Sequence, residues 1–218
     1  MISFDYIALL DYNHLDQNFF LKSLAKELAA QPHKRGILLH ADSPYTERIM
    51  QEGVMREEAQ IRALKDLSHR LVALLADEGI PAVGLHPFQK ELISANGMIS
   101  QTAWRSLPRI PVVILSTLTG ASESTKGKQS LIEILSILKT SFDVPEVLGF
   151  SLIDSIQWGL TKVPELTSEE GILERDSDFF RAHIPAELQD LTGYRLCVPG
   201  VKGIASLWEG SLTIKELR

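Results

Sequence analysis

Short apolar runs alternate with longer segments of helical periodicity along most of this chain, and this alternation restricts the possible folds more than any other feature. The run Gly36–His40 (GILLH) is a continuous apolar run closed by a histidine, which is typical of a strand covered on both faces. Residues 57–78 carry apolar side chains at helical spacing and are followed by Gly79, a usual helix stop. Strands separated by helices predict a mostly parallel central sheet in a three-layer α/β/α sandwich.

The same patterns place the remaining elements. Strands are predicted at residues 4–10, 81–85, 110–116, 147–153 and 194–198, with an edge strand at 212–214. Helices are predicted at residues 15–30, 44–51, 129–142, 184–191 and 201–207. The polar, acidic segment 164–178 has no clear period and is interpreted as an exposed loop or a poorly ordered excursion.

Composition limits the class of protein. The chain has 218 residues, with 22 basic and 28 acidic side chains and a formal charge of −6, which argues against a nucleic-acid binder because such binding depends on clustered lysine and arginine. The single cysteine, Cys197, cannot form an internal disulfide, and no stretch is long and apolar enough to span a membrane. We therefore expect one cytoplasmic domain over residues 1–218.

Binding sites of parallel α/β sheets lie at the carboxyl ends of the strands, so the loops after His40, Leu85 and Ser116 are the places to look. The segment after His40, Ala41-Asp42-Ser43, opens a predicted helix. Helix N-termini suit anions, but no glycine here would let a phosphate approach the backbone, and a carboxylate would compete with an anionic ligand. The residues therefore favour Asp42 or Ser43 as an ordinary N-cap.

Two further groups of residues are weaker candidates. Lys126 and Lys128 lie in a hydroxyl-rich loop that only superficially resembles a phosphate-binding loop, since its glycine spacing is wrong and Gln129 stands where a metal-binding hydroxyl is needed. His40 and His86 each close an apolar strand and could meet at one edge of the sheet, although histidines satisfied by a backbone group are the commoner case. The histidine spacings predict no metal site.

Residues 68–86 (SHRLVALLADEGIPAVGLH) resemble the amino acid kinase family, in which a helix ending L-V-x-x-L-x-x-x-G-x-x-A-V-G-L-S precedes part of the substrate site. Residues 37–44 (ILLHADSP) resemble the family segment V-x-V-H-G-G-G-P, and residues 53–56 (GVMR) resemble a G-[LV]-R segment of acetylglutamate kinase. The resemblance implies an amino acid kinase-like fold with a shortened second half. It also implies a substrate-side half over residues 1–100, a nucleotide-side half over 101–218, and Arg56 as a ligand of a substrate carboxylate.

The chain departs from the family at the residues that handle phosphate. No lysine stands near residues 10–13 (LDYN), and Ala41, Asp42 and Ser43 replace the glycines. Ala186 falls where the second lysine of the acetylglutamate kinase pattern would be, and residues 128–134 show no N-x-x-A-D segment. Because phosphoryl transfer depends on positioning the phosphate and neutralising its charge, these changes predict little catalysis by the family mechanism.

Three hypotheses follow. The first is a degenerate kinase-like protein that binds a small carboxylate metabolite or a protein partner, needs no cofactor, and forms a homo-oligomer. The second is an active small-molecule kinase that uses ATP with Mg²⁺ and in which Lys126 or Lys128 replaces the missing lysines. The third is a structural or regulatory subunit that dimerises through the helix at residues 57–78. The candidate substrate-binding residues are His40, Ala41, Asp42, Ser43, Arg56, Gly84 and His86, and the candidate nucleotide-binding residues are Ser116, Lys126 and Lys128.

Overall fold

The computed structural model describes residues 2–51, 56–94, 96–120 and 129–150, together with three two-residue strands near the end of the chain. The strands are β1 (Tyr6–Leu10), β2 (Gly36–His40), β3 (Ala82–Leu85), β4 (Val112–Ser116), β5 (Glu146–Leu148), β6 (Ile172–Leu173), β7 (Leu196–Cys197) and β8 (Glu216–Leu217). The helices are α1 (Asn18–Ala29), α2 (Pro44–Gln51), α3 (Arg56–Asp77), α4 (Gln101–Arg105) and α5 (Leu131–Ser141).

The strands form one sheet in the order β3-β4-β2-β1-β5-β7-β8-β6. Five neighbouring strands, β3, β4, β2, β1 and β5, are parallel, and β7 joins them in the same direction. Only the pairing of β8 with β7 is antiparallel among the pairs described. The prediction of a mostly parallel sheet is therefore confirmed.

Alternate strand residues point to opposite faces, and each face is covered by helices. On one face, Ile7, Leu39 and Leu115 pack in a core with the apolar side chains of α5 and with Trp104 of α4. On the other face, Leu10, Leu38 and Ile114 pack with the leucines of α1 and α3. This is the predicted α/β/α sandwich.

Helix α3 buries its apolar face within its own chain. Leu64, Leu67, Leu71 and Leu75 are each at most 2% exposed, and Leu67, Leu71 and Leu75 pack against residues of the sheet. Any dimer through this helix would therefore have to use its other side, and homo-oligomerisation stays a prediction.

Several predicted bounds need correction. Helix α1 begins at Asn18 rather than residue 15, because Asp11 Oδ2 accepts the backbone N–H of Asn13 and Asp11 O accepts those of His14 and Leu15, which holds the chain in turns. Strand β5 ends at Leu148, well before residue 153. Helix α4 was not predicted; its start is capped by Ser100, whose hydroxyl accepts the N–H of Ala103.

The end of the chain is described only in part. The loop predicted over residues 164–178 contains β6, and the last strand is Glu216–Leu217. The predicted strand at 212–214 and the predicted helices at 184–191 and 201–207 lie outside the described residues. Within the described part, no helix has the length and apolar character needed to cross a membrane.

Candidate functional site

Four neighbouring strands, β3, β4, β2 and β1, end side by side. We call the row of their carboxyl ends the carboxyl rim, and the residues that follow each strand line it. In the register, Leu10 lies beside His40, and His40 lies beside Ser116. Leu85 lies beside Leu115, one residue before Ser116. Adjacent strands are about 4.8 Å apart, so Asp11, Ala41, Thr117 and His86 begin neighbouring loops. The loops after His40, Ser116 and Leu85 therefore follow neighbouring strands, and whether they bind a ligand stays a prediction.

His40 closes β2 and is fully buried. Its Nδ1 lies 3.1 Å from the carbonyl oxygen of Ala41, which can only accept, so Nδ1 carries the proton. Nε2 therefore accepts a hydrogen bond from the Ser68 hydroxyl at 2.8 Å, which links β2 to α3. Burial lowers the pKa of His40 to about 4, so the ring is neutral near pH 7. Both ring nitrogens are used inside the protein, which makes His40 a buried link rather than a ligand-binding group.

His86 follows β3 and is held from two sides. Its Nδ1 lies 2.7 Å from Ser116 Oγ, which also accepts the N–H of Leu118. The Phe88 ring stacks on the His86 imidazole with a 5° interplanar angle. The Lys65 ammonium lies 5.7 Å from the centre of the Phe88 ring. Burial first, and then the charges of Lys65 and His69, lower the pKa of His86 to about 4. On the β3–β4 side of the rim, the positive charge of Lys65 therefore lies near the imidazole of His86, which is neutral at pH 7.

The β1–β2 side of the rim is acidic. Asp11 is buried directly after β1, where Oδ2 accepts from the backbone and the side-chain amide of Asn13. Asp42 follows β2, and its Oδ2 accepts from the Gln60 side chain at 2.8 Å. The pKa of Tyr12 is raised by burial, by its hydrogen bond to Glu47, and by the charges of Glu47, Asp16 and Asp42.

Two hydroxyls at the rim lack protein partners among the described residues. Ser43 Oγ, directly before α2, and Thr117 Oγ1, directly after β4, are both completely buried with no hydrogen bond to that part of the chain. Buried hydroxyls are normally satisfied, so both are available to polar groups that enter the rim. The interpretation of Ser43 as a side-chain cap is not supported, because the N–H of Thr46 is bound by the Ser43 carbonyl and not by its hydroxyl.

Not every predicted site residue reaches the rim. Ala41 packs in the apolar core. A Cβ at Gly84 would meet Val72 and Ser68 of α3, so this glycine lies under the helix. Arg56 is the first residue of α3, and its side chain lies outside the described part of the structure, as do Lys126 and Lys128.

Sequence reasoning missed Asp11, Lys65, Ser68 and Thr117 as rim residues. Asp11 and Thr117 had a usable signal, since each stands at the end of an apolar strand run. Lys65 and Ser68 had none, because they reach the rim from the middle of α3. Among the described residues, no group of three or more histidine, cysteine and acidic side chains is arranged to hold a metal ion.

No protein-family model matches the chain, and no curated protein sequence matches it. Solved structures do. One titled "X-ray structures of isopentenyl phosphate kinase" matches with a TM-score of 0.56 and 14% identity, over 98% of this chain and 100% of that one. An isopentenyl phosphate kinase substrate complex matches with a TM-score of 0.59 and 8% identity over 100% of both chains.

A product complex of the T. acidophilum isopentenyl phosphate kinase also matches, with a TM-score of 0.59 and 10% identity over 98% of this chain and 99% of that one. Isopentenyl phosphate kinase is a member of the amino acid kinase family. Identities this low establish the fold and leave activity open. The finer resemblance to acetylglutamate kinase stays a prediction, and the chain has an amino acid kinase-like α/β fold.

Proposed function

We propose that this protein binds a small carboxylate metabolite at the carboxyl rim and does not transfer phosphoryl groups. The observation that carries the proposal is a pair of carboxylates at the ends of two neighbouring strands: Asp11 directly follows β1, and Asp42 stands two residues after the end of β2. In the family that the sequence resembles, a lysine and glycines stand in these places.

The acidic side of the rim is unsuited to a triphosphate. Phosphoryl transfer requires groups that neutralise negative charge on the phosphate oxygens. Here Asn13 and Gln60 hold the two carboxylates in place, so fixed negative charge stands where the family that the sequence resembles has its phosphate-handling lysine and glycines. The described residues of this rim therefore do not fit ATP.

The β3–β4 side suits a carboxylate. Lys65 supplies a cation, and a hydrogen bond that involves a charged group is stronger than one between neutral groups. Beside it, Ser116 holds the neutral imidazole of His86, and the buried Thr117 hydroxyl can donate to a ligand oxygen. Single-residue polar contacts of this kind fix the orientation of a small ligand.

Thermal unfolding with added ligands tests the proposal. N-acetyl-L-glutamate, a simple carboxylate probe, should raise the melting temperature, because a ligand at about a hundred times its Kd adds roughly 2.7 kcal/mol of stability. ATP with Mg²⁺ should not raise it.

A variant pair locates the site. Lys65→Gln should weaken binding of the carboxylate probe by roughly tenfold or more, since it removes a charged partner. Lys22→Gln, on the exposed side of α1, is the matched control and should leave binding unchanged. A shift with ATP and Mg²⁺ but none with the carboxylate, or equal binding in both variants, would contradict the proposal.

A further inference from the structure

A cleft lies at the amino ends of β1, β2 and β4, on the opposite side of the sheet from the carboxyl rim. It is an open cleft of about 360 Å³ lined by the cations Lys34, Arg35 and Arg109, by the carboxylate of Asp5 and by His33. Each of the three strands is five residues long, so the cleft is about 16 Å from the carboxyl rim. The excess of positive charge is notable in a chain whose formal charge is −6.

Arg35 is held rigidly at this cleft. Its guanidinium carbon lies 4.6 Å from the centre of the Phe4 ring, and its Nε donates to the carbonyl of Ile110 at 3.3 Å. Phe4 is itself fixed, since it is 2% exposed and packs edge-on against Trp104 and Phe142. These contacts leave the two terminal nitrogens of Arg35 without hydrogen-bond partners among the described residues. A guanidinium fixed in this way loses little entropy when its terminal N–H groups bind an oxyanion.

Arg109 adds a second guanidinium beside the first. Burial and the neighbouring charge of Arg109 lower the pKa of Arg35, while Asp5 acts in the opposite direction. Asp5 Oδ2 is occupied by the backbone N–H of Arg35 at 2.7 Å. Neither Arg35 nor Arg109 forms an ion pair with a carboxylate within 4 Å in the described part of the chain. Two adjacent guanidinium groups repel each other, the single carboxylate of Asp5 offsets only part of their charge, and a bound anion would relieve the remaining repulsion.

We infer that this cleft binds the phosphate group of a small ligand through Arg35 and Arg109. A phosphate group has several oxygens that can accept paired N–H donors from a guanidinium, and its charge of nearly −2 matches two arginines. The open shape of the cleft leaves room for the rest of a phosphate ester. The site does not depend on the chemistry of the carboxyl rim.

Isothermal titration calorimetry with inorganic phosphate, and separately with phenyl phosphate, tests this inference at constant ionic strength. Binding of both probes is expected; tighter binding of phenyl phosphate would identify an ester as the ligand, and tighter binding of the free ion would identify inorganic phosphate. Arg109→Gln should weaken binding by about ten- to a hundredfold. Arg35→Lys, which keeps the charge but loses the paired donors, should also weaken it.

The controls separate this site from the rest of the molecule. Arg62→Gln removes an exposed arginine of α3 outside the cleft and should leave the affinity unchanged. Arg109 is exposed, so Arg109→Gln should fold even where the partly buried Arg35→Lys does not. No heat of binding to the unmodified protein at millimolar phosphate would overturn the inference, and so would equal affinities in Arg109→Gln and Arg62→Gln.

Discussion

Gly36 begins β2 directly beneath the ring of Tyr6, which is 1% exposed. A Cβ built on Gly36 would overlap three carbons of that ring. Tyr6 lies beside Gly36 in the strand pairing, so the ring cannot move aside without disturbing the core on that face of the sheet. The glycine is therefore required by close packing and not by an unusual backbone angle.

Gly36→Ala should lower the free energy of unfolding by about 3 kcal/mol, at the upper end of the usual range for overpacking. Urea denaturation measures the change. Gly84→Ala is the matched control, because its Cβ would meet Val72 at an ordinary contact distance of 3.4 Å, and it should change stability much less. Equal losses in the two variants would show that the Tyr6 ring is not the cause.

At the same scale, Asp42→Asn tests the electrostatics of the carboxyl rim. The amide keeps an oxygen that can accept from Gln60 but removes the charge, so affinity for an anionic probe at the rim should rise. Titration with N-acetyl-L-glutamate measures this, and Asp77→Asn, at the far end of α3, should have no effect. Unchanged or weaker binding in Asp42→Asn would contradict the account of that loop.

At the scale of elements, α3 is joined to β2 by one buried polar contact as well as by its leucines. The Ser68 hydroxyl donates to His40 Nε2, and both side chains are fully buried. Removing the hydroxyl leaves a buried acceptor without its donor, which costs the full desolvation of that nitrogen.

Ser68→Ala should therefore reduce the free energy of unfolding by about 1–3 kcal/mol, even though alanine is the better helix former. Ser136→Ala, at a half-buried serine of α5, carries the same change of helix propensity and serves as the control in chemical denaturation. If both substitutions stabilise the protein equally, the hydrogen bond contributes nothing measurable.

The bounds of the helices and strands also show which elements sequence patterns can predict and which they cannot. The bounds of β2 and α2 were predicted correctly, because an apolar run bounded by charged or polar residues and a proline at a helix start are local signals. The start of α1 was missed, because turns centred on Asp11 override the helical periodicity at Leu15. Helix α4 is only five residues long, too short for a periodic signal.

For the whole molecule, the two rim histidines should make stability depend on pH. The pKa values of His40 and His86 are both lowered by burial to about 4, whereas an unfolded histidine titrates near 6.5. Below about pH 6.5 the unfolded state binds protons that the folded state does not. The neutral His40 and His86 therefore contribute their full share of the free energy of unfolding above about pH 6.5, and this contribution is lost as the pH falls towards about 4.

Urea denaturation at about pH 7.5 and about pH 5 measures this loss. His86→Asn, which keeps a polar atom near Ser116, should show a smaller loss than the unmodified protein. His33→Gln replaces an exposed histidine and should behave like the unmodified protein. An identical pH dependence in His86→Asn would show that His86 does not contribute.

The sequence predicted the sandwich and the location of the carboxyl rim, because strand order in a parallel sheet brings the strand ends together whatever the distance along the chain. It could not predict which rim side chains form hydrogen bonds within the protein. His40 was a candidate ligand until the structure placed Ser68, 28 residues away, against its Nε2. Periodicity carries no information about such contacts between elements.

Release of ADP from ATP with Mg²⁺, measured with and without carboxylate acceptors, tests the central claim most directly. Because the carboxylates of Asp11 and Asp42 make this part of the rim acidic, the purified protein should release ADP no faster with an acceptor than without one, and Lys126→Ala/Lys128→Ala should give the same result. Acceptor-dependent ADP release that disappears in Lys126→Ala/Lys128→Ala would show instead that the protein is an active kinase.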